Sequence, residues 1–209
     1  MSTILLYLVA LVKATRIGYK HFLGIQTTLG RRRAPRRRWN VPLADGKRVN
    51  FSLVDRLISL TPAQAITMTK HVSMAEEYLA DHFPGFPVLP GVLMLEAAVQ
   101  AAAWLVREWE NFAHSLIVLR EARQIRYGAF VQPGQALTIQ AEVLRLEPAG
   151  SEFKIRGGAG EAIAIQGRIE LAHRNLSESD PTLAALDKMM TDAARARWKQ
   201  LLAAPQYAV

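Results

Sequence analysis

A histidine and a glutamate flank the predicted start of a long apolar helix. His82 lies in residues 81–90, where three prolines and one glycine predict an ordered but irregular loop. Glu96 follows 14 residues later, on the second turn of a helix predicted to begin at Gly91. An imidazole can accept a proton, and a buried carboxylic acid can donate one. These residue types around a helix N-terminus favour an enzyme that moves protons beside a carbonyl group.

The start of the helix offers a way to stabilise negative charge. The first N–H groups of a helix have no partner within it, and the helix dipole favours an anion there. The N–H of Gly91 is therefore a candidate donor to an enolate oxygen, an effect typically worth about 3 kcal/mol. Burial predicts that Glu96 has a raised pKa and protonates a leaving hydroxyl. Gln100, four residues further on, shares its helix face and can orient it.

Each of these residues also has a simpler structural explanation. A lone histidine beside a Phe-Pro pair is more often a structural loop residue, and a lone glutamate in an alanine-rich helix is usually solvated or paired. Leu93 and Met94 could line a tunnel for an acyl chain, although core positions explain them more simply. The remaining histidines show no partner pattern and are expected to be surface or structural residues: His21, His71, His114 and His173.

The apolar pattern places the helix inside an antiparallel sheet. From Gly91 to about Glu110, apolar residues cover most of the helix circumference, which predicts burial. A short helical turn is expected at 50–57, and a short helix at 75–79. Alternating apolar and polar residues separated by short turns predict one strand before the long helix and four after it: 65–72, 116–127, 136–146, 152–157 and 161–172. This order indicates an α+β fold in which a meander wraps around one helix.

Composition divides the chain into three segments. Residues 1–48 carry 11 of the 26 Lys and Arg residues and one acid, and residues 49–209 carry 15 Lys and Arg against 17 acids. The net charge of +8 therefore belongs to a basic extension at 1–48, which is expected to be flexible or peripheral. A near-neutral folded domain follows at 49–173, without a nucleic-acid signature. The tail at 174–209 contains a predicted helix at 183–202, which packs on the sheet or on a partner.

The extension holds two unusual runs. Residues 4–12 are apolar but too short for a membrane span, which needs roughly 20 residues. Three interpretations stay open: a loose segment or wrongly included start, a shallow membrane anchor through residues 1–38, and a helix docked on the body or a partner. Residues 31–38 contain six arginines around a proline, which predicts a solvated linker with non-specific electrostatics.

Several classes of site are excluded by missing residues. The chain has no cysteine, so disulfides, thiolate metal sites and cysteine nucleophiles are ruled out. No His, Asp and Glu spacing indicates a metal site, no Gly-X-Ser-X-Gly elbow supports a serine hydrolase, and no glycine motif indicates a nucleotide. No metal and no cofactor are therefore predicted.

The loop and helix closely resemble a known family. His82-Phe83-Pro84-Gly85, the run from Pro87 to Ala97 and the following Gln100 resemble FabZ-type (3R)-hydroxyacyl-acyl-carrier-protein dehydratases of the hot-dog fold, including the spacing from His82 to Glu96. Residues 51–56, 122–127 and 131–135 resemble flanking parts of the family, so that the likeness covers roughly 49–173. Asp81 departs from it, because the family commonly has glycine before the histidine.

The resemblance implies a hot-dog homodimer, or a trimer of dimers, with active sites at the dimer interface. His82 and the partner's equivalent of Glu96 would be catalytic. The Gly91 N–H would bind the thioester carbonyl, and Val92, Gln100 and Phe83 are further expected substrate contacts. The expected reaction is dehydration of a (3R)-3-hydroxyacyl thioester in cytoplasmic fatty acid or related acyl-chain biosynthesis. The acidic acyl carrier protein would be attracted by local cations: Arg120, Arg123 or Arg126.

Two alternative functions use the same fold. A hot-dog thioesterase would hydrolyse the thioester, although the His82 and Glu96 pair argues against it. A non-catalytic module would bind acyl carriers, with a weak membrane contact through residues 1–38. The first is distinguished by release of free thiol, and the second by an absence of turnover.

Overall fold

The computed structural model describes residues 51–80, 82–83 and 85–203. The predicted extension at 1–48 with His21, as well as Asp81, lies outside the described residues. The strands are β1 (Arg56–Thr61), β2 (Ala65–His71), β3 (Leu116–Tyr127), β4 (Ala136–Glu147), β5 (Gly150–Ala159) and β6 (Ala162–Arg174). The helices are α1 (Gly91–Trp109) and α2 (Ala184–Ala203), with single 3₁₀ turns at Glu77–Leu79, Leu176–Glu178 and Pro181–Leu183.

Helix α1 begins and ends at the residues that its sequence favours. Pro90 precedes it with an extended ψ of 136°, and Pro is tolerated where a helix has no use for its N–H. No breaker interrupts the run until Asn111, which adopts a left-handed φ of 50° just after the helix. Every residue from Leu93 to Val99 is buried. The prediction of a long buried helix is confirmed.

The sheet is antiparallel throughout, but its strand order is not that of a meander. The order is β1-β2-β4-β5-β6-β3. Strand β3 crosses to the far edge and pairs with β6, with Leu116 opposite Arg174 and Tyr127 opposite Ile165. The predicted sequential meander is therefore wrong for β3, because alternation fixes which face of a strand is buried and not which neighbour it pairs with. The sheet curls around α1, as expected for a hot-dog fold.

The predicted helical turn at 50–57 is also wrong. Residues 51–55 have no regular secondary structure, and β1 begins at Arg56 as a sixth strand. Leu57 and Leu60 are three residues apart, which suggests a helical period. A β-bulge between Leu57 and Ser59 shifts the register, so that Leu57 lies opposite Met68 and Leu60 opposite Ile66. The inserted residue explains why strand β1 did not show a period of two.

Helix α2 contacts the C-terminal half of α1 through an aromatic pair and also lies against strand β1. The Trp198 ring stacks on Trp104 of α1, with ring centroids 5.6 Å apart and planes 16° apart. Ser115 donates a hydrogen bond to Asp187 of α2. An Arg195 N–H donates to the Asn111 carbonyl at 2.5 Å. The helix itself was predicted at 183–202, and that prediction is confirmed. Neither this helix nor any other in the described part is apolar over enough residues to span a membrane.

Candidate active site

The loop before α1 is held by backbone hydrogen bonds. Phe83 and Phe86 each donate an N–H to the other's carbonyl, at 3.1 and 2.9 Å, around Gly85 with its φ of 79°. The Val88 N–H donates to the His82 carbonyl at 3.0 Å. The Leu89 N–H donates to the Val131 carbonyl at 2.8 Å, which ties the loop to the segment after β3. The loop is thus the ordered, irregular segment that its prolines and glycine predict.

The His82 side chain lies at the edge of this loop. Its imidazole is half-buried and stacks on the Phe83 ring, with centroids 4.2 Å apart. Phe83 is 51% exposed. A half-buried imidazole remains within reach of a substrate, which a general base requires.

The first turn of α1 presents two N–H groups towards the loop. The Pro90 carbonyl accepts hydrogen bonds from the N–H of Leu93 at 2.9 Å and of Met94 at 3.1 Å. The N–H groups of Gly91 and Val92 have no acceptor among the described residues. Leu93 and Met94 are themselves buried, as expected of core residues. Two adjacent donors at a helix N-terminus can bind a carbonyl oxygen on which negative charge develops.

Gly91 also packs closely against an aromatic ring that was not among the predicted site residues. A Cβ atom at Gly91 would lie 3.0 Å from Cε1 and 3.1 Å from Cδ1 of Tyr127. Tyr127 is the last residue of β3 and is 49% exposed. No local sequence pattern predicts the contact between Gly91 and Tyr127, because it forms only when β3 lies at the edge of the sheet beside the start of the helix.

Glu96 is buried and accepts a hydrogen bond from Gln100, which Leu53 holds in turn. Glu96 is 4% exposed. The Gln100 side-chain N–H donates to Glu96 Oε1 at 2.9 Å. The Gln100 Oε1 in turn accepts the Leu53 N–H at 2.8 Å. The predicted orienting contact between Gln100 and Glu96 is present, and the role of Leu53 was not foreseen.

The structure brings some of the predicted residues together and leaves others apart. Gly91, Val92, Glu96 and Gln100 share one helix, and about 7.5 Å of helix rise separates Gly91 from Glu96. No hydrogen bond joins His82 to Glu96 within this chain, although both residues are described. Catalytic roles for these residues remain predictions.

Two histidines that were expected to lack partners form a cluster at the other end of α1. His114 Nδ1 lies 2.8 Å from Glu110 Oε2, and His173 Nδ1 lies 3.7 Å from the same oxygen. His173 Nε2 also lies 2.8 Å from Ser151 Oγ. Burial lowers the pKa of His173, which favours its neutral imidazole. His71, by contrast, is exposed beside Asp55, as expected for a surface residue.

Comparisons with known proteins agree with this architecture. The model of the ApeI-like family, described as ApeI dehydratase, matches residues 59–168, more than half of the chain. The chain is 35% identical over 111 residues to FabZ of Levilactobacillus brevis, covering 53% of this chain and 75% of that protein. It is 37% identical over 139 residues to FabZ of Variovorax paradoxus, covering 62% and 89%. Both relatives are named 3-hydroxyacyl-acyl-carrier-protein dehydratases.

A solved structure shares the fold. The dehydratase heterocomplex ApeI:P from Xenorhabdus doucetiae contains a chain with a TM-score of 0.52 and 20% sequence identity, covering 63% of this chain and 89% of that one. At this identity the likeness concerns the fold, and it agrees with the sheet curled around α1. The match to the family model and the FabZ relatives extend that likeness to the sequence. This chain therefore belongs to the ApeI-like family of dehydratases.

Proposed function

We propose that the protein dehydrates (3R)-3-hydroxyacyl thioesters carried on acyl carrier protein to trans-2-enoyl thioesters. The observation that carries the proposal is the buried Glu96 carboxylate, fixed by Gln100 below two N–H groups at the start of α1. Family membership supports the reaction, because the FabZ relatives are named for it. We place the reaction in cytoplasmic fatty acid or related acyl-chain biosynthesis.

The proposed reaction breaks two bonds of the substrate and releases water. His82 accepts the C2 proton, and the electron pair moves into the C2–C3 double bond. Glu96 donates a proton to the C3 hydroxyl, which leaves as water. The N–H groups of Gly91 and Val92 bind the thioester oxygen while it carries enolate charge. After the water molecule has left, His82 passes the proton that it accepted to Glu96 by way of solvent. Both residues are then ready for the next substrate.

We propose that two subunits share each site. His82 of one subunit would face Glu96 of the other, as the resemblance to FabZ-type dehydratases implies. The exposed aromatic residues around the helix start form an apolar surface suited to such an interface: Phe83, Phe86, Tyr127 and Phe130. A second hot-dog chain of different sequence is the alternative partner, because the ApeI:P structure is a heterocomplex.

The carrier protein would dock on a basic patch on the outer face of the sheet. The patch consists of Arg126, Arg156, Arg168 and Lys154. Arg126 and Arg156 both lie opposite Gln166, and Lys154 lies opposite Arg168. The three arginines are exposed and form no ion pair within the described residues. Lys154 pairs with Glu142 at 3.3 Å and is partly neutralised, so that the three arginines supply the charge that would attract an acidic partner.

This surface differs in part from the predicted one. Arg120 pairs with Glu170 at 3.2 Å, and Arg123 pairs with Glu121 at 2.6 Å. Both are therefore partly neutralised within the chain, whereas Arg126 is not. A shallow cavity of about 180 Å³ next to the patch, lined partly by Arg156 and Gln140, adds room for a side chain of the partner.

The test is a dehydration assay on carrier-bound 3-hydroxyacyl substrates of graded chain length. His82→Ala and Glu96→Gln should each lower kcat by about 10²–10⁴-fold, with an unchanged thermal unfolding curve. His71→Ala, which changes an exposed histidine elsewhere, is the matched control. Unchanged rates in both site variants would falsify the proposal. Release of free thiol would instead support the thioesterase, and an absence of any turnover by the wild type would support the carrier-binding module.

A further inference from the structure

We propose that Glu110, His114 and His173 form a structural binding site for a divalent transition-metal ion, with Zn²⁺ as the best fit. One ligand atom from each residue lies within 4.8 Å of the other two. Two imidazoles and a carboxylate are a ligand set that Zn²⁺ commonly takes. The site is independent of the proposed dehydration.

The three side chains point at one another from different elements. Glu110 caps the C-terminus of α1, His114 precedes β3, and His173 lies near the end of β6. Glu110 Oε1 accepts the His114 backbone N–H at 3.0 Å, which fixes the carboxylate. Its other oxygen, Oε2, then faces both imidazole Nδ1 atoms, at 2.8 and 3.7 Å. Ligand atoms around tetrahedral Zn²⁺ are about 3.3 Å apart, and the two distances from Glu110 Oε2 lie on either side of that value.

A supporting hydrogen bond is also present. The Pro148 carbonyl oxygen lies 3.2 Å from His173 Nδ1. Ser151 Oγ lies 2.8 Å from His173 Nε2 and can accept its proton. A ligating histidine usually donates its other N–H in this way, which fixes the ring and its tautomer. The ion would replace the Nδ1 proton that otherwise faces Pro148.

Burial and charge select the kind of ion. The His173 side chain is 0% exposed, that of Glu110 5% and that of His114 20%, which leaves His114 as the route of entry. The buried Arg107 lies within electrostatic range of Glu110 and His173. Its positive charge opposes a cation held by charge alone, so that Mg²⁺ and Ca²⁺ with their oxygen ligands are disfavoured. An ion that bonds to imidazole nitrogen is favoured.

The position indicates a structural rather than a catalytic ion. About 21 Å of helix rise separates Glu110 from Glu96, so that the ion cannot reach the proposed reaction. It would instead link the end of α1 to β6. Ions that bind the folded state alone stabilise it in proportion to their occupancy.

The test uses the full chain after treatment with a chelator. Isothermal titration with Zn²⁺ should show one ion per chain, and Tm should rise by roughly 5–10 °C at a hundredfold excess over Kd. Co²⁺ should give the visible absorption bands of tetrahedral coordination. His114→Ala and Glu110→Gln should each weaken Zn²⁺ binding by roughly 100-fold or more. His114 is partly exposed, and Glu110→Gln keeps the side-chain shape, so that both variants are expected to fold.

His71→Ala is the matched control, because it removes an exposed histidine outside the cluster. Binding that persists in His114→Ala and Glu110→Gln, or that disappears in His71→Ala, would overturn the proposal. A flat titration of the wild type, with no rise in Tm, would overturn it as well.

Discussion

Gln100 donates a hydrogen bond to Glu96 at 2.9 Å, and its own carbonyl oxygen accepts the Leu53 N–H at 2.8 Å. The second contact fixes the orientation of the amide, since its oxygen must face Leu53 and its NH₂ group must then face Glu96. The backbone ahead of β1 therefore takes part in positioning the proposed proton donor.

Gln100→Leu should lower kcat at least tenfold and leave KM nearly unchanged. Leucine has a similar size but cannot hold the Glu96 carboxylate, and small misplacements of a catalytic group are costly. Steady-state kinetics on a carrier-bound substrate measure both constants. Val99→Leu, on a different face of the same helix, controls for repacking of the helix. A fall in kcat of similar size in this control would contradict a specific role for Gln100.

Mixing two inactive variants should restore activity if subunits share each site. A heterodimer of His82→Ala and Glu96→Gln contains one site with both changes and one with neither. Random reassortment of a symmetric homodimer makes about half of all dimers mixed, so that the activity should reach about a quarter of the wild-type value. Unfolding and refolding the two variants together provides the mixture, and refolding them separately provides the control. No recovery from a properly mixed sample would place both groups in one chain.

Gly91→Ala should lower kcat/KM through contact with Tyr127. The added methyl group would lie 3.0 Å from the ring, so that the half-exposed ring must move towards the space in front of the helix start. The backbone N–H of residue 91 remains, so that the variant changes the access of the substrate and not the hydrogen bond to its thioester oxygen. The double variant Gly91→Ala/Tyr127→Ala should recover activity relative to Gly91→Ala. If the double variant is no better, the ring contact does not explain the loss.

Asp187 should make stability depend on acid pH. Burial alone would raise the pKa of its carboxyl, but hydrogen bonds from Ser115, Ser177 and Leu176 outweigh burial and lower that pKa. Because the folded-state pKa lies below the unfolded value of about 3.9, the carboxylate stabilises the fold above about pH 3.9. This stabilisation is lost as the pH falls towards the folded-state pKa. Asp187→Asn should therefore have a lower Tm at neutral pH, and its Tm should fall less steeply than that of the wild type below about pH 4.

A surface carboxylate on the same helix provides the comparison for Asp187. Asp192 pairs with Lys188 in an exposed i, i+4 contact at 2.6 Å, which contributes little to stability. Asp192→Asn should leave Tm at neutral pH almost unchanged. Parallel melting curves of Asp187→Asn and wild type across the acid range would refute the hydrogen-bonded role of Asp187.

Reversing a charge in the basic patch should affect only carrier-bound substrates. Arg156→Glu should raise KM for the carrier-bound substrate about tenfold, because the acidic carrier is then repelled. A pantetheine thioester of the same acyl group should react at the wild-type rate. Arg145→Glu changes an arginine on the same face that already pairs with Glu147 at 3.2 Å, and it is the matched control. Equal effects on both substrates would show that Arg156 does not act through the carrier.

Local patterns predicted most of the elements, and long-range contacts explain the failures. Helix α1 and strand β3 were predicted closely because apolar runs and turn residues mark their ends. The bulge in β1 hid its alternation, and nothing in the sequence of β3 shows that it pairs with β6. The helix at 184–203 was likewise predicted, but its packing on Trp104 depends on a contact 94 residues away in sequence.

In the candidate site, too, local patterns predicted some residues, and long-range contacts explain the ones that were missed. Residue types around the predicted helix start, together with the resemblance, indicated His82, Glu96 and Gly91, and the spacing of four residues indicated the contact of Gln100 with Glu96. Tyr127 was missed because it reaches Gly91 only after the sheet has formed. Glu110 and His114 are also four residues apart, but His173 joins them only through the pairing of β6 with β3.

The pairing of β3 with β6 determines how the domain can assemble during synthesis. A ribosome releases β3 before β4, β5 and β6, and the neighbour of β3 is the last of these. Until residue 174 has emerged, both edges of β3 are unpaired, and Ile117 and Leu119 have no completed core to enter. Such a strand is a ready target for aggregation or for a chaperone. The nascent chain is therefore most vulnerable between the completion of α1 and the arrival of β6, and closure of the β3–β6 edge ends that period.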